Sequence, residues 1–251
     1  RCRPRGVPGS WLTGAFGNTG DGHQMGLAVG AAEDEFPHAI MLDPEQLMPY
    51  LRVNKLGERF TPEYEPYGHL ALAIQAQPGT YDFYVVDSAI GEKIDKIWTP
   101  SSSCYGPKEV WTAAAMSEKA LKADTLEELA KLMEVPEAQF VATIERWNEM
   151  AAAGKDEDFN FPGEMMMTID TPPYYATKEF ADGLCTAGGL LVDTECRVLD
   201  KDRQPIDGLF AIGLTSGGMF FNTYPHNLNC LSHTRNCLMG YTVGQVLGDK
   251  A

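Results

Sequence analysis

The chain has 251 residues and a formal net charge of −15, so its length allows one large domain or two modest ones. The acidic balance and scattered Lys and Arg exclude a basic patch for phosphate backbones, and we expect no nucleic-acid partner. No apolar run of about 18 residues, the length that crosses a bilayer, occurs in the sequence, so we expect no membrane span.

The first ten residues, "RCRPRGVPGS", are basic and rich in Pro and Gly, and they are left out of the fold prediction. No signal peptide is visible, and the compartment, cytoplasmic or periplasmic, stays open. None of the six cysteines forms a C-x-x-C pair. We therefore expect free thiols and no metal site.

The stretch "NTGDGHQMGLAVGAA" predicts a glycine turn followed by a short helix over Gly22–Ala32, with Asp21 as its cap. Gly26 and Gly30 are four residues apart, so they would share a face that another backbone can approach. Such turns are typical of nucleotide sites. However, Met25 stands where the last glycine of a complete G-x-G-x-x-G would fall.

The next segment alternates loop, strand and helix signals. Residues 36–50 are punctuated by proline and are expected to be loop. "YLRVNKLGERF" predicts a strand, a turn at Lys55–Gly57 and a second strand. "GHLALAIQAQ" predicts a helix that ends before Pro78, and the β-branched and aromatic "YDFYVVD" predicts a strand.

Residues 124–154 give the clearest helical signal. Thr125 and Glu128 form a capping box for "LEELAKLM". Pro136 suits a first helical turn, and Gly154 is a natural end for the helix that follows. The side chains expected to form the buried face of that helix are Phe140, Ile144, Trp147 and Ala151.

The last part of the chain changes character. "TPPYYAT" forces extended backbone, and "GGLLVD", "CRVLD" and "GLFAIG" predict short strands before a closing helix, "CLSHTRNCLMGYTVGQVLG". The fold class predicted is α/β (α+β). The first and last parts would belong to one sheet-based domain, interrupted by a helical insert.

Five stretches resemble, in order, the FAD-dependent oxidoreductase family of fumarate reductase and succinate dehydrogenase flavoproteins. They are "NTGDGHQMGLAVGAA", "VNKLGERF", "TLEELAKLMEVPEAQFVATIERWNEMAAAGKDEDF", "TAGGLLVDTECRVLDKDRQPIDGLFAIG" and "CLMGYTVG". The resemblance implies a partial FAD-binding domain formed by residues 1–35 and 172–251. It implies a cap or substrate domain over residues 36–171.

The resemblance also answers where the complete glycine turn lies. In this family the G-x-G-x-x-G that seats the pyrophosphate is upstream of the "GDG" turn, so the chain resembles the C-terminal portion of such an enzyme. The FAD contacts that the resemblance implies are Gly20, Asp21, Gly22, Gly213, Leu214, Ser232 and His233. Asp21 could instead be a helix cap only. Leu214 replaces a frequent Glu, and Asn229–Cys230 replaces a Gly-Gly pair.

The residues expected at the substrate distinguish two branches of the family. Fumarate reductases have an Arg after "RF..E" and a His before "T-x-GG", where this chain has Tyr67 and Cys185. A dicarboxylate needs fixed cations for bidentate capture, so the loss of both argues against fumarate. Tyr67 in "RFTPEYEPY" and Tyr224 in "NTYPH" instead resemble the two tyrosines of the 3-ketosteroid dehydrogenase branch.

This resemblance assigns catalytic roles to the two tyrosines. Tyr224 would donate a hydrogen bond to the oxygen that becomes negative during hydride transfer. Tyr67 would move the α-proton, and as a phenol with an ordinary pKa of about 10 it suits an acid better than a base. Arg235 and His226 are the predicted substrate contacts. The alternatives are ordinary half-buried tyrosines and, for Arg235, a surface ion pair.

The function predicted is an FAD-dependent oxidoreductase that transfers hydride between flavin and an activated C=C/CH–CH bond of an enone or ketosteroid-like substrate. One alternative is a fumarate- or urocanate-type reductase of unsaturated carboxylates. Another is a truncated fragment that cannot hold FAD. The expected partner is a small-molecule substrate, and an electron-donor protein or domain is a further candidate.

Overall fold

The computed structural model describes residues 19–35, 40–44, 48–98, 107–220, 224, 228 and 230–249. The chain divides into two compact units. The central unit is residues 44–181, and the discontinuous unit is residues 1–43 together with 182–251. Helices and strands occur in both, which confirms the mixed α/β class. The functional assignment of the units as cap and FAD-binding part stays a prediction.

Antiparallel strands form the middle of the central unit. β3 (Tyr81–Asp87) pairs with β2 (Leu51–Val53) on one side and with β5 (Tyr174–Thr186) on the other. β4 (Leu121–Ala123) also pairs with β5, and with β1 (Ile40–Pro44) the strand order is β1-β5-β3-β2. The β-branched and aromatic side chains of β3 suit this place, since nearly the whole strand is buried.

Successive side chains of β3 point to opposite faces of the sheet and enter two apolar clusters. The helices of the central unit are α2 (Tyr67–Gln75), α3 (Ile90–Lys93), α4 (Lys108–Ala115), α5 (Leu126–Met133) and α6 (Glu137–Ala153). Phe83 and Val85 share a cluster with residues of α5 and α6, including Trp147. Tyr84 and Val86 share the other with residues of α3 and α4.

A buried arginine lies on the second face of this sheet. Arg52 is fully buried and pairs with the carboxylates of Asp82, at 2.8 Å, and of Glu179. Burial raises the pKa of Asp82, although Arg52 opposes the shift. Arg52 lies on β2, and the carboxylates that it pairs with come from β3 and β5. These ion pairs therefore fix the register of three strands.

A second buried arginine, Arg59, follows the turn after β2. Its Nη2 lies 2.6 Å from Oε2 of Glu63, and its Nη1 lies 2.7 Å from Oδ1 of Asp156. The guanidinium also lies 4.9 Å from the ring centroids of Trp147 and Phe159. Arg59 therefore joins the segment before α2 to α6 and the loop that follows α6.

The discontinuous unit has a much smaller apolar core. It contains α1 (Asp21–Ala28), the antiparallel pair β6 (Arg197–Leu199) and β7 (Pro205–Phe210), and α7 (Leu231–Gly248). The buried residues of its cluster are Ala31, Leu190, Val198 and Ala211. Short backbone bridges, such as the parallel one between Leu190 and Ser216, connect its segments.

Helix α7 has an unusual surface. Its sequence, "LSHTRNCLMGYTVGQVLG", contains no Lys, Asp or Glu, and its only arginine, Arg235, is buried. Leu238, Tyr241 and Leu247 are exposed. No helix among the described residues combines the length and apolar character that a bilayer crossing requires.

Most predicted elements are confirmed. The helix of "GHLALAIQAQ" and the strand "YDFYVVD" are α2 and β3, and Lys55–Gly57 is a turn. Thr125 Oγ1 accepts the amide hydrogen of Glu128, and Gly154 ends α6 in the left-handed conformation, with φ 66°. The predicted buried face of α6 is buried at Phe140, Ile144 and Trp147 and partly buried at Ala151.

Four local predictions are wrong. Residues 40–44 form β1 rather than loop. No strand forms over residues 58–60 of the described chain, where Arg59 is drawn into its ion pairs instead. "GGLLVD" makes isolated bridges rather than a strand. Gly30 lies beyond α1 with φ 92° and so does not share a helix face with Gly26.

Candidate functional site

The "GDG" turn, the first segment predicted to contact FAD, begins helix α1. Gly20 occupies the cap position in the left-handed conformation, with φ 79°, and no side chain caps the helix. Asp21 is the first helical residue, and its carboxylate accepts a hydrogen bond from Thr19 Oγ1 at 2.7 Å. The prediction that Asp21 caps the helix is therefore wrong, because a residue inside the first turn cannot reach back to those amides as a cap does.

Helix α1 packs against the second segment predicted to contact FAD, which contains Gly213 and Leu214. A Cβ placed on Gly22 would lie 2.9 Å from Thr215 Cγ2, so only glycine permits this approach. The ring of His23, which is buried, lies with Nε2 3.4 Å from the carbonyl oxygen of Leu214. The structure thus brings the "GDG" turn together with Gly213–Thr215, as the resemblance implies for two parts of one site.

The segment from Gly213 to Gly218 is packed backbone against backbone. The amide of Leu190 donates to the carbonyl oxygen of Thr215 at 2.9 Å, and the amide of Gly217 donates to that of Leu190 at 2.7 Å. Any Cβ at Gly189 would collide with Thr215, and one at Gly217 would collide with the Asp34 carboxylate. Gly189 of "TAGG" and Gly217 of "TSGG" are therefore needed for this close contact.

The guanidinium of Arg235 is directed into the same segment. Its Nη1 donates to the carbonyl oxygen of Gly213 at 3.1 Å, and its Nη2 donates to the carbonyl oxygens of Ser216 and Gly217, each at 3.0 Å. Nη2 also lies 2.8 Å from Ser216 Oγ. Burial lowers the pKa of Arg235, partly offset by the charge of Asp34. No surface ion pair of this side chain is seen among the described residues.

Tyr224 lies at the beginning of α7. Its Oη accepts a hydrogen bond from the amide of Ser232 at 2.9 Å, and the side chain is buried. Its ring centroid is 5.0 Å from that of Phe220, and the Arg235 guanidinium lies 5.6 Å from the Phe220 ring centroid. A continuous set of contacts therefore joins Gly213, Arg235, Phe220, Tyr224 and the start of α7.

The remaining nominated residues are placed as follows. His233 is exposed in the first turn of α7. Tyr67 begins α2 in the central unit, where its backbone is described and its side chain is not. His226 lies outside the described residues, as does the side chain of Cys185. In the part of the chain that is described, no group of three or more His, Cys, Asp or Glu could hold a metal ion.

The discontinuous unit fits part of an FAD molecule. Helix α1 begins without a side-chain cap, and its N-terminal amides suit an anionic group. Gly213 and Gly218 have φ 64° and 80°, and the space beside Gly218 is open, so a flat ring can come close to the backbone. The exposed carboxylate of Asp21 suits a hydroxyl group rather than a phosphate.

Sequence reasoning missed Asp34 and His23. The carboxylate of Asp34 accepts the amide of Gly189 at 3.2 Å and that of Gly218 at 3.0 Å. Its partners, like that of His23, are backbone groups distant in sequence. No side-chain pattern could have signalled such contacts, although the glycine pairs did mark where two backbones meet.

Comparison with known proteins agrees with this geometry. A family model described as an FAD binding domain matches residues 2–231. The 3-oxosteroid 1-dehydrogenase of Mycolicibacterium smegmatis is 30% identical over 254 residues, covering 86% of this chain and 43% of the relative. A probable fumarate reductase, Ifc3, of Shewanella frigidimarina is 32% identical over 200 residues, covering 79% of this chain and 30% of the relative.

A solved structure shows the same fold. The 3-ketosteroid delta1-dehydrogenase from Sterolibacterium denitrificans, in complex with 1,4-androstadiene-3,17-dione, matches with a TM-score of 0.78 and 24% identity. The match covers 99% of this chain and 50% of that one. The chain spans half or less of the length of these proteins. Because the family match covers nearly its whole length, the chain belongs to the FAD-binding domain family.

Proposed function

We propose that the chain is part of an FAD-dependent oxidoreductase that transfers hydride between flavin and an activated C=C/CH–CH bond of an enone or ketosteroid-like substrate. The observation that carries this proposal is Tyr224, which is buried at the start of α7 and bonded through Oη to the amide of Ser232. It belongs to the same connected set of contacts as the "GDG" and "TSGG" segments that the family uses for FAD.

The hydrogen bond from the amide of Ser232 suits Tyr224 to donate a hydrogen bond to the substrate. The amide donates to a lone pair of Oη, so this bond does not consume the phenolic proton. A donor to Oη also makes the phenol a stronger hydrogen-bond donor, because hydrogen bonds in a chain polarise one another. Tyr224 would thus donate to the carbonyl oxygen of the substrate as negative charge develops there.

Tyr67 is proposed as the group that moves the α-proton. A phenol has an ordinary pKa of about 10, so it gives up a proton to a carbanion far more readily than it removes one at neutral pH. The segment that leads to Tyr67 is anchored by Glu63, whose side chain is buried against Arg59. Pro66 then precedes the first helical residue.

The cofactor would supply or accept the hydride. From this chain we propose that Gly20, Asp21, Gly22, Gly213, Leu214, Ser232 and His233 would hold it. The first three lie at the start of α1, and the others lie in or beside the segment that α1 contacts. Of the two groups expected at the substrate, His226 is kept in this proposal, whereas the guanidinium of Arg235 is bonded to backbone carbonyl oxygens. Residues 36–171 would cover the substrate as a cap.

A reductase of unsaturated carboxylates is the second candidate. The similarity to the fumarate reductase of Shewanella frigidimarina favours it. Against it, the fork of Arg235 is occupied by three backbone carbonyl oxygens, so it does not present the free bidentate face that a carboxylate needs. This contrast favours a ketone over a dicarboxylate.

The test uses a protein that also contains a pyrophosphate-binding turn, reduced anaerobically. Cyclic enones, ketosteroids, fumarate and urocanate are each added, and the return of the oxidised flavin absorbance is followed. We expect reoxidation by enones or ketosteroids and not by the two acids. Reoxidation by fumarate or urocanate alone would establish the second candidate. If this longer protein holds no flavin, both candidates fail, whereas absence of flavin from the 251-residue chain alone supports the inactive-fragment alternative.

A further inference from the structure

Residues 213–218, which we call the glycine loop, are held by a positively charged side chain, Arg235, and a negatively charged one, Asp34. Arg235 donates to the carbonyl oxygens of Gly213, Ser216 and Gly217. The carboxylate of Asp34 accepts the amides of Gly218 and of Gly189 in the neighbouring segment. One ion therefore binds carbonyl groups of the loop, and the other binds an amide group of the same loop.

The chemistry of each ion suits this task. A guanidinium carries five N–H donors in a rigid plane, so Nη1 and Nη2 can serve carbonyl groups three and four residues apart at the same time. A carboxylate is an acceptor only, and its two oxygens can receive amides from two segments. Hydrogen bonds with a charged partner are roughly twice as strong as neutral ones.

The other contacts that define the shape of the loop are neutral backbone hydrogen bonds, such as those that join it to Leu190, and they must offset the ordering of its glycines. Gly213 and Gly218 adopt positive φ values, and glycine loses more backbone freedom on ordering than any other residue. The buried apolar cluster of this unit consists of Ala31, Leu190, Val198 and Ala211. None of these residues belongs to the loop. Opening the loop would leave Arg235, which is buried, without its carbonyl partners.

We propose that Arg235 and Asp34 are positioning residues that preform the glycine loop for the flavin cofactor, so that the loop has its binding shape before the cofactor arrives. The proposal rests on the proposed function for the identity of the ligand. Preforming the loop removes an ordering cost from binding and so increases affinity. It gives Arg235 a role in holding the protein backbone rather than in contacting substrate.

The experiment compares two conservative variants with two matched controls in the 251-residue chain. Arg235→Lys keeps the charge but loses the fork, and Asp34→Asn keeps the shape but loses one acceptor and the charge. The controls are Arg197→Lys, whose guanidinium pairs with Asp193 at the surface, and Asp207→Asn at an exposed position. Backbone hydrogen exchange is followed by mass spectrometry without FAD, and FAD affinity is then measured by quenching of flavin fluorescence.

We expect the amides of the glycine loop and of Gly189 to exchange about 10- to 100-fold faster in both variants and at the wild-type rate in both controls. Exchange in α6 should not change. The dissociation constant for FAD should rise about 10-fold, the effect of losing one such interaction. A purely structural role would lower the melting temperature without this selective change in loop exchange and FAD affinity.

Two outcomes would overturn the proposal: wild-type loop exchange in both variants, or faster loop exchange with an unchanged dissociation constant. If Arg235→Lys fails to fold, Asp34→Asn decides the matter with the same two readouts. A wild-type chain that binds no FAD supports the alternative of a fragment that cannot hold the cofactor. In that case the exchange rates alone decide whether the two ions shape the loop.

Discussion

The two units of the chain are held together by different means. The central unit buries large side chains on both faces of its sheet, among them Phe140, Ile144 and Trp147. The discontinuous unit buries only one small cluster among its described residues and leaves large apolar side chains exposed. These are Met25, Leu27, Val29, Ile212, Met219, Leu228, Leu238, Tyr241 and Leu247.

This difference shows where each unit gets its specificity. The central unit follows from apolar patterning, which is non-directional and tolerates volume-conserving changes. The discontinuous unit depends on close contacts at Gly22, Gly189 and Gly217, on hydrogen bonds donated by Arg235 and on hydrogen bonds accepted by Asp34. Directional contacts of this kind fix a loop precisely but supply little cohesion. The candidate cofactor residues lie in this second unit.

The largest effects are expected at the two tyrosines, one in each unit, in a protein that also contains a pyrophosphate-binding turn. Tyr67→Phe should lower turnover by about 10²–10⁴-fold, because it removes the proton carrier. Tyr224→Phe should lower it by about 10²–10³-fold, because it removes one donor to the enolate oxygen. Exchange of the substrate α-hydrogen with solvent should vanish in Tyr67→Phe and only slow in Tyr224→Phe.

Flavin content is the control for both tyrosine variants, since Phe keeps the ring volume. Wild-type turnover in both variants, on every enone and unsaturated acid tried, would rule out the tyrosine pair. Attention would then move to His226.

Affinity for FAD tests whether the discontinuous unit is sufficient by itself. The sequence contains no complete G-x-G-x-x-G turn, so several backbone hydrogen bonds and a helix dipole are missing from this chain. The loss of about 4 kcal/mol changes a nanomolar site into a micromolar one. We expect a micromolar dissociation constant in a fluorescence titration of the chain. Nanomolar binding would show that the residues present form a complete site.

Stability of the central unit should depend on Arg59. Arg59→Met leaves the carboxylates of Glu63 and Asp156 buried without their cation, which we expect to cost about 3–5 kcal/mol. Arg146→Met removes only an exposed pair with Asp158 and should leave the stability nearly unchanged. Urea unfolding followed by tryptophan fluorescence measures this, since Trp98, Trp111 and Trp147 belong to this unit. If Arg59→Met and Arg146→Met lowered the free energy of unfolding equally, burial would not explain the role of Arg59.

The stability of the central unit should also depend on pH. This effect is smaller, and the pKa of Asp156 predicts its direction. Burial acts to raise the pKa of Asp156, but hydrogen bonds from Arg59 and from the amides of Phe161 and Asp158 hold it below its ordinary value. Because the folded pKa is lowered, this group stabilises the fold above its unfolded pKa of about 4 and loses that contribution as the pH falls. Asp156→Asn should therefore cost about 1–3 kcal/mol at pH 7 and less in acid.

The comparison with Asp156→Asn isolates this contribution, because Glu63, whose pKa burial raises, is present in both proteins. A difference in stability that stayed constant from pH 7 to about pH 2, below the ordinary pKa, would show that Asp156 does not titrate as inferred.

The smallest perturbation is limited proteolysis of the wild-type chain. If residues 36–171 form a cap domain, first cuts should fall near Pro37, near Pro172–Pro173 or within 155–164. Helix α6 should be among the most protected segments, because its apolar face is buried. Mass spectrometry of the fragments gives the order of cleavage. An initial cut within residues 136–150 would contradict the proposed domain boundaries.

The two units also differ in how far the sequence predicts them. Periodicity identified α6, and capping chemistry identified its end at Gly154 and the start of α5 at Thr125. These signals are local, and the surrounding fold does not override them. Strand β1 was missed because prolines dominate its neighbourhood, and residues 58–60 were misassigned because ion pairs of Arg59 override an extended pattern.

For the candidate site, motif order located the segments but not their contacts. The "GDG" turn was correctly placed at the start of a helix, and Gly189 of "TAGG" lies where two segments meet. The bonds from Arg235 to three carbonyl oxygens were not predictable, because backbone acceptors leave no mark on the sequence that carries them. The same holds for Asp34. A charged residue near a glycine pair is the one signal that could prompt such a search.

The uncharged surface of α7 has a consequence for how copies of this chain meet in solution. Its exposed side chains, among them Leu238 and Tyr241, offer no repulsion of their own. The net charge of −15 is carried elsewhere and keeps copies apart only through a field that extends about 10 Å at 0.1 M salt and about 3 Å at 1 M. Added salt therefore removes the barrier and leaves the attraction, so colloidal stability should fall as ionic strength rises.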